Sequence, residues 1–94
     1  MNYPSPELKL EVKKLILNTL SINDINPEDI DDEKPIFGGG NTLTLDSVDA
    51  IEIIMAIQRE YGYRIADQQI AREVIRSVNS IAKFLSDQRN QTSG

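Results

Sequence analysis

The sequence predicts an all-α fold, a four-helix bundle with three longer helices, one short helix and a long first loop. Apolar residues recur at the helical spacing i, i+3, i+4 and i+7 in separate stretches of the chain. Apolar and polar residues do not alternate at the period of two that is typical of a strand, except for a few residues around Leu43 to Leu45. The 94 residues predict one domain, because two separate cores would each be too small to be stable.

The first predicted helix begins at Ser5-Pro6-Glu7 and ends near Leu20. A serine hydroxyl caps free backbone N–H groups, and proline is favoured at the first helical position. One buried stripe follows at helical spacing, formed by Leu8, Val12, Leu15 and Ile16.

Residues 21–46 form a long connection between the first two predicted helices. Apolar residues recur along it and predict an ordered loop that is pinned to the bundle: Ile22, Ile25, Ile30, Ile36 and Phe37. The run from Gly38 to Asn41 predicts a flexible kink; it is not a phosphate-binding loop, because no lysine follows it. The acids from Asp24 to Glu33 do not fit a calcium loop, because Asp29 stands where glycine is required.

The most apolar stretch, from Leu45 to Tyr61, predicts the central helix of the bundle. Asp46 occupies the N-cap position, and Ser47 and Asp49 follow in the first turn. Apolar side chains cover most of the helical wheel, which predicts cover on several sides: Val48, Ile51, Ile53, Ile54, Met55, Ile57 and Tyr61. The remaining stripe is predicted to face water and holds Asp49, Glu52, Ala56, Arg59 and Glu60.

The last third of the chain predicts one short and one longer helix. Gly62 ends the preceding helix, Asp67 caps the short one and Ser77 caps the last one. Residues 89–94 are predicted to be a flexible tail, which leaves a core of about residues 5–88 within a single domain 1–94.

The charge distribution limits the possible partners. The net charge of −5 argues against nucleic acid and favours basic protein partners. The acids cluster in residues 24–60, which contain ten acidic and two basic residues. The chain has no cysteine and no histidine, which argues against a disulfide scaffold and removes the commonest metal ligands. No signal core or membrane span is apparent, so the sequence predicts a cytoplasmic protein.

The pair Asp46-Ser47 has an ordinary interpretation as a helix cap, and an acidic stripe is usually a solvated face. A serine nucleophile needs a base, but the chain has no histidine, and Lys34 lacks the Ser-x-x-Lys spacing. The sequence therefore predicts no catalytic residue and no metal site.

The stretch Leu45-Asp46-Ser47-Val48-Asp49, with Ile51 to Ile57 and Glu60-Tyr61-Gly62, resembles the signature of the acyl carrier proteins. Residues 75–85 resemble that family's last helix and its lead-in, and the likeness covers roughly residues 8–85. It implies an acyl-carrier-like four-helix bundle. It also implies that Ser47 bears a 4′-phosphopantetheine arm from coenzyme A, which carries acyl intermediates as thioesters. The implied pathways are fatty-acid, polyketide-like or other lipid and secondary-metabolite synthesis.

The resemblance also implies partners. They are a phosphopantetheinyl transferase and acyl-transferring and condensing enzymes with basic docking patches, so the protein is a substrate of enzymes and a monomeric carrier. The acids expected to meet them are Asp46, Asp49, Glu52 and Glu60. The residues expected to line a site for the acyl chain are Phe37, Ile51, Ile54, Met55, Ile65, Ile75, Val78 and Ala82.

Several positions depart from the family pattern. Thr44 replaces a common glycine, and Arg64, Arg72 and Arg76 make the later part unusually basic, which favours a specialised carrier. Two alternatives stay open: a peptidyl or aminoacyl carrier with the same arm, and a small helical interaction module without a prosthetic group.

Overall fold

A computed structural model describes residues 5–37, 45–65 and 67–92 of the chain. The helices are α1 (Pro6–Thr19), α2 (Ser47–Tyr61), α3 (Gln68–Val74) and α4 (Val78–Thr92), with a 3₁₀ turn at Pro27–Asp29. This confirms the predicted all-α class with three longer helices and one short one. Within the described ranges, the only extended pairing is a parallel bridge between Phe37 and Leu45. The predicted kink at residues 38–41, together with Leu43 and Thr44, lies outside the described residues.

The helix boundaries follow the capping residues. The Ser5 hydroxyl accepts a hydrogen bond from Leu8 N at 3.1 Å, and Asp67 Oδ1 accepts one from Gln69 N at 2.8 Å. At the start of α4, Ser77 Oγ accepts from Ser80 N at 3.1 Å. Gly62 ends α2 with φ 74°, a left-handed conformation that glycine adopts without steric cost.

The prediction that α2 is the central helix is wrong, because α1 holds that position. Helix α1 packs against α4, α2 and the 3₁₀ turn. Helix α2 buries only one side, formed by Ile53, Ala56 and Ile57, while Val48, Ile51 and Met55 are 64, 59 and 61% exposed.

Ala56 was predicted to face water, yet it is buried. It lies three residues after Ile53 and next to Ile57, so it shares their side of the helix. Because alanine is small, it suits a helix contact as well as a solvated surface, and the wheel alone does not separate the two.

The described part of the first loop, up to residue 37, is pinned to the bundle, as predicted. Ile30 and Ile36 are buried in the core, and Ile22, Ile25 and Phe37 pack against it. Ile36 N donates to Arg76 O at 3.0 Å, and Asn79 N donates to Asp32 O at 2.9 Å. An ion pair of 2.6 Å joins Lys13 Nζ on α1 to Asp32 Oδ1. These contacts hold Phe37 beside the end of α3.

Helix α4 continues to Thr92 and thus overlaps the predicted tail at residues 89–94. Residues 93–94 lie outside the described residues, and the flexibility of the tail stays a prediction. Within the described ranges, no helix combines the length and the apolar character that crossing a bilayer requires.

Candidate functional site

Ser47 is an exposed residue and the first residue of α2. The backbone beside it is fixed by a capping box. Asp46 Oδ1 accepts hydrogen bonds from Val48 N and Asp49 N, both at 3.1 Å, and Asp49 Oδ2 accepts one from Asp46 N at 3.1 Å. The capping box therefore fixes the backbone on both sides of Ser47 and leaves the Ser47 side chain exposed.

An open groove of about 760 Å³ lies between α2 and α3, and Ser47 is one of its lining residues. It forms because α2 packs on α1 while α3 packs on α4. The wall on the α2 side is lined by Asp46, Ser47, Ala50, Ile51 and Ile54. The opposite wall is lined by Gln68, Ala71, Arg72, Ile75 and Arg76. Pro35, Phe37 and Leu45 complete the lining, and we call this site the α2–α3 groove.

Most of the residues predicted to contact an acyl chain lie on this side of the molecule. Phe37, Ile51, Ile54 and Ile75 line the α2–α3 groove. A smaller adjoining pocket of about 160 Å³ shares Ile51 and Ile54 with the groove and adds Met55 and Ile65.

Val78 and Ala82 were predicted to line a site for the acyl chain, but neither lines the groove or the adjoining pocket. Their contact with an acyl chain stays a prediction. They are fully buried in the core. Their helical spacing predicted burial, but burial against α1 and contact with a groove look the same in a sequence pattern.

The predicted docking acids do not form one patch. Asp46 and Asp49 share the capping box, and Glu52 is exposed one turn further along α2. Glu60 lies eight residues after Glu52, about 12 Å along the helix axis. There it lines a separate polar depression with Glu11, Lys14 and Arg59.

Sequence reasoning did not place Gln68, Ala71, Arg72 or Arg76 at the site. With Ile75 they follow the spacing i, i+3, i+4, i+7 and i+8, which puts five residues on one face of α3 and its extension. The spacing is visible in the sequence. That this face meets α2 depends on the tertiary arrangement.

A family model described as "Phosphopantetheine attachment site" matches residues 11–85 of the chain. The chain belongs to the acyl carrier protein family. It is 33% identical to an acyl carrier protein of Bradyrhizobium sp. (strain ORS 278) over 79 residues, which cover 84% of this chain and 90% of that protein. It is 28% identical to an acyl carrier protein of Thermosynechococcus vestitus over 81 residues, which cover 86% of this chain and 90% of that protein.

Members of this family carry acyl groups on a 4′-phosphopantetheine arm, and the residues at the start of α2 fit such a group. The arm needs a hydroxyl that an enzyme can reach, and Ser47 is exposed. The Val48 and Asp49 N–H groups already donate to Asp46. The helix dipole would therefore stabilise an anion on Ser47, but these two N–H groups would not donate hydrogen bonds to it.

Proposed function

We propose that Ser47 is the attachment point of the phosphopantetheine arm and that this protein carries acyl intermediates on it. The observation that carries the proposal is the position of Ser47, an exposed hydroxyl on the first residue of α2 that lines the α2–α3 groove. Ser47 would supply the oxygen of the phosphodiester. The arm supplies a thiol for the thioester, and this chain has no cysteine of its own.

We propose that the acyl chain lies along the α2–α3 groove. Its lining includes Phe37, Ile51, Ile54 and Ile75, and apolar surface that leaves water here stabilises the loaded state. Because the groove is already open, a short chain need not displace the buried core. Arg72 and Arg76 favour an acyl over an aminoacyl cargo, because they would repel the ammonium group of an aminoacyl thioester.

We propose that partner enzymes approach the outer side of α2. Glu52 is exposed there beside the exposed apolar residues Val48, Ile51 and Met55. An exposed apolar patch with a charged neighbour is typical of an interaction surface. The chain offers no histidine to activate Ser47, so the acyl chemistry is assigned to the partners. A monomeric state and a cytoplasmic location stay predictions.

The test is the intact mass of the protein after incubation with coenzyme A and a phosphopantetheinyl transferase. The wild type should gain one phosphopantetheine, and Ser47→Ala should gain none. Ser5→Ala is the matched control, because Ser5 is also an exposed serine at a helix start, and it should be modified like the wild type. A mass gain in folded Ser47→Ala would refute the assignment of Ser47.

A further inference from the structure

The α3 wall of the α2–α3 groove carries two arginines one helical turn apart. Arg72 and Arg76 are exposed, while Ala71 and Ile75, the residue before each of them, are buried. All four line the same groove as Ser47. The wall therefore combines an apolar floor with two guanidinium groups, which are suited to binding phosphate oxygens.

The groove has the opposite charge balance to the rest of the molecule. The chain carries a net charge of −5, with its acids concentrated in the middle third. The charged residues lining the groove are Asp46, Arg72 and Arg76, which leave one excess positive charge. Within the part of the chain that the structure describes, neither arginine takes part in an ion pair.

An arm on Ser47 would bring a phosphodiester with one negative charge to the start of α2. Asp46 and Asp49 are the neighbouring acids, and both oppose that charge. The Val48 and Asp49 N–H groups already donate to Asp46 Oδ1. Apart from the helix dipole, stabilisation of the phosphodiester by a protein charge would therefore come from outside α2, and the arginines on the facing wall are the cations that line the same groove.

We propose that Arg72 and Arg76 bind the phosphodiester of the arm across the groove. This inference rests on the proposed attachment at Ser47. Binding would neutralise the excess charge of the groove and direct the arm from the acidic start of α2 toward α3. The arm would then enter the apolar part of the groove from the arginine side.

The experiment compares the apo and arm-bearing forms of the wild type, Arg72→Gln, Arg76→Gln and the double variant. Arg64→Gln is the control, because Arg64 is exposed between α2 and α3 but does not line the groove. Each variant is brought to full conversion, as checked by intact mass. Two quantities are then measured: the melting temperature of each form, and the ³¹P chemical shift of the phosphodiester.

At low salt, the arm should raise the melting temperature of the wild type by roughly 1–8 °C, the range expected for an exposed ion pair in a domain of this size. The gain should fall toward zero at about 1 M salt, where the Debye length is about 3 Å. The double variant should lose the gain and shift the ³¹P signal, while Arg64→Gln should keep both wild-type values.

An unchanged gain and an unchanged ³¹P signal in the double variant would overturn the inference. A second test compares proteins whose phosphopantetheine arm is loaded with a succinyl group or with a butyryl group. If the arginines matter only for the succinyl form, their ligand is a carboxylate on the cargo and the assignment to the phosphodiester is wrong. If the wild type gains no mass, the proposed function and this inference both fail. If the wild type gains mass but the melting temperature and the ³¹P shift do not depend on the arginines, this inference fails and the proposed function stands.

Discussion

Substitutions of Asp46 separate its capping role from any role of its charge in docking. Its carboxylate accepts hydrogen bonds from Val48 N and Asp49 N at 3.1 Å. Asp46→Ala removes the Oδ1 atom that accepts both hydrogen bonds and should cost about 1 kcal/mol, the usual value for loss of an N-cap. For a domain of this size, the melting temperature should fall by roughly 4–8 °C. At low salt, loss of the negative charge near the helix dipole adds about 0.3–1 kcal/mol.

Asp46→Asn keeps a capping oxygen and removes only the charge. Its loss of stability should therefore be limited to the dipole contribution. This contribution should disappear at about 1 M salt, where exposed charges are screened beyond about 3 Å. Asp46→Ala should remain destabilised at that salt concentration. The assay is thermal unfolding followed by circular dichroism at 222 nm, at low and high salt.

The matched control is Asp67→Ala, which removes the cap of α3, where Asp67 Oδ1 accepts from Gln69 N at 2.8 Å. It should lower the melting temperature without slowing modification of Ser47 by a transferase. Asp46→Ala should do both, because the backbone next to Ser47 loses its cap. If Asp46→Asn and Asp46→Ala lose equal stability at 1 M salt, the cap assignment is wrong. If modification slows equally in Asp67→Ala, the effect is global instability and not a local effect at Ser47.

Three further predictions concern docking, the buried side of α2 and the α2–α3 groove. Glu52→Lys should slow transferase modification by roughly 2–10-fold at low salt, and high salt should remove the difference; equal rates at low salt would contradict the docking proposal. Ile53→Ala should cost about 2–5 kcal/mol in urea unfolding, whereas Ile51→Ala should change stability by only about 0.5 kcal/mol, because Ile53 is buried and Ile51 is exposed. Loading the arm with an octanoyl group should raise the melting temperature of the wild type and of Ala82→Phe, but less in Ala71→Phe; equal gains in all three would contradict the groove, because only Ala71 lines it.

The starts of the helices and the end of α2 were predictable from the sequence because they depend on contacts within a few residues. Ser5 and Asp67 accept from N–H groups two or three residues away, and the turn at Gly62 needs only a positive φ. The same holds for the start of α2, where Asp46 and Asp49 bond to each other's backbone. Residue type and spacing are sufficient information for such features.

The buried side of α2 was not predictable in the same way. Seven apolar residues spread around the helix indicate that some side is buried, but they do not tell which one. The structure buries Ile53, Ala56 and Ile57 against the bundle and leaves Ile51 and Met55 exposed. The choice depends on where α1 lies, which is a long-range property of the chain.

The groove could be predicted only in part for the same reason. Phe37, Ile51, Ile54 and Ile75 were expected near the acyl chain because they are apolar and lie in or near the matching segments. Arg72 and Arg76 depart from the family pattern, yet the role proposed for them depends on α3 facing α2 across open space. The charges of Arg72 and Arg76 do not indicate in the sequence that these residues lie opposite α2.

The open groove also has an energetic consequence for a carrier. Protein interiors are packed to about 0.74 of their volume, so a guest inside a closed core has to displace side chains. Between α2 and α3 the space already exists, and the core residues of α2, Ile53 and Ile57, need not move. Each methylene that leaves water contributes at most about 0.8 kcal/mol, and less in a groove that stays partly open to solvent. For an acyl chain that lies in the groove as proposed, the free energy of binding should therefore grow with chain length in small steps, so a partner enzyme should be able to withdraw the chain without unfolding the bundle.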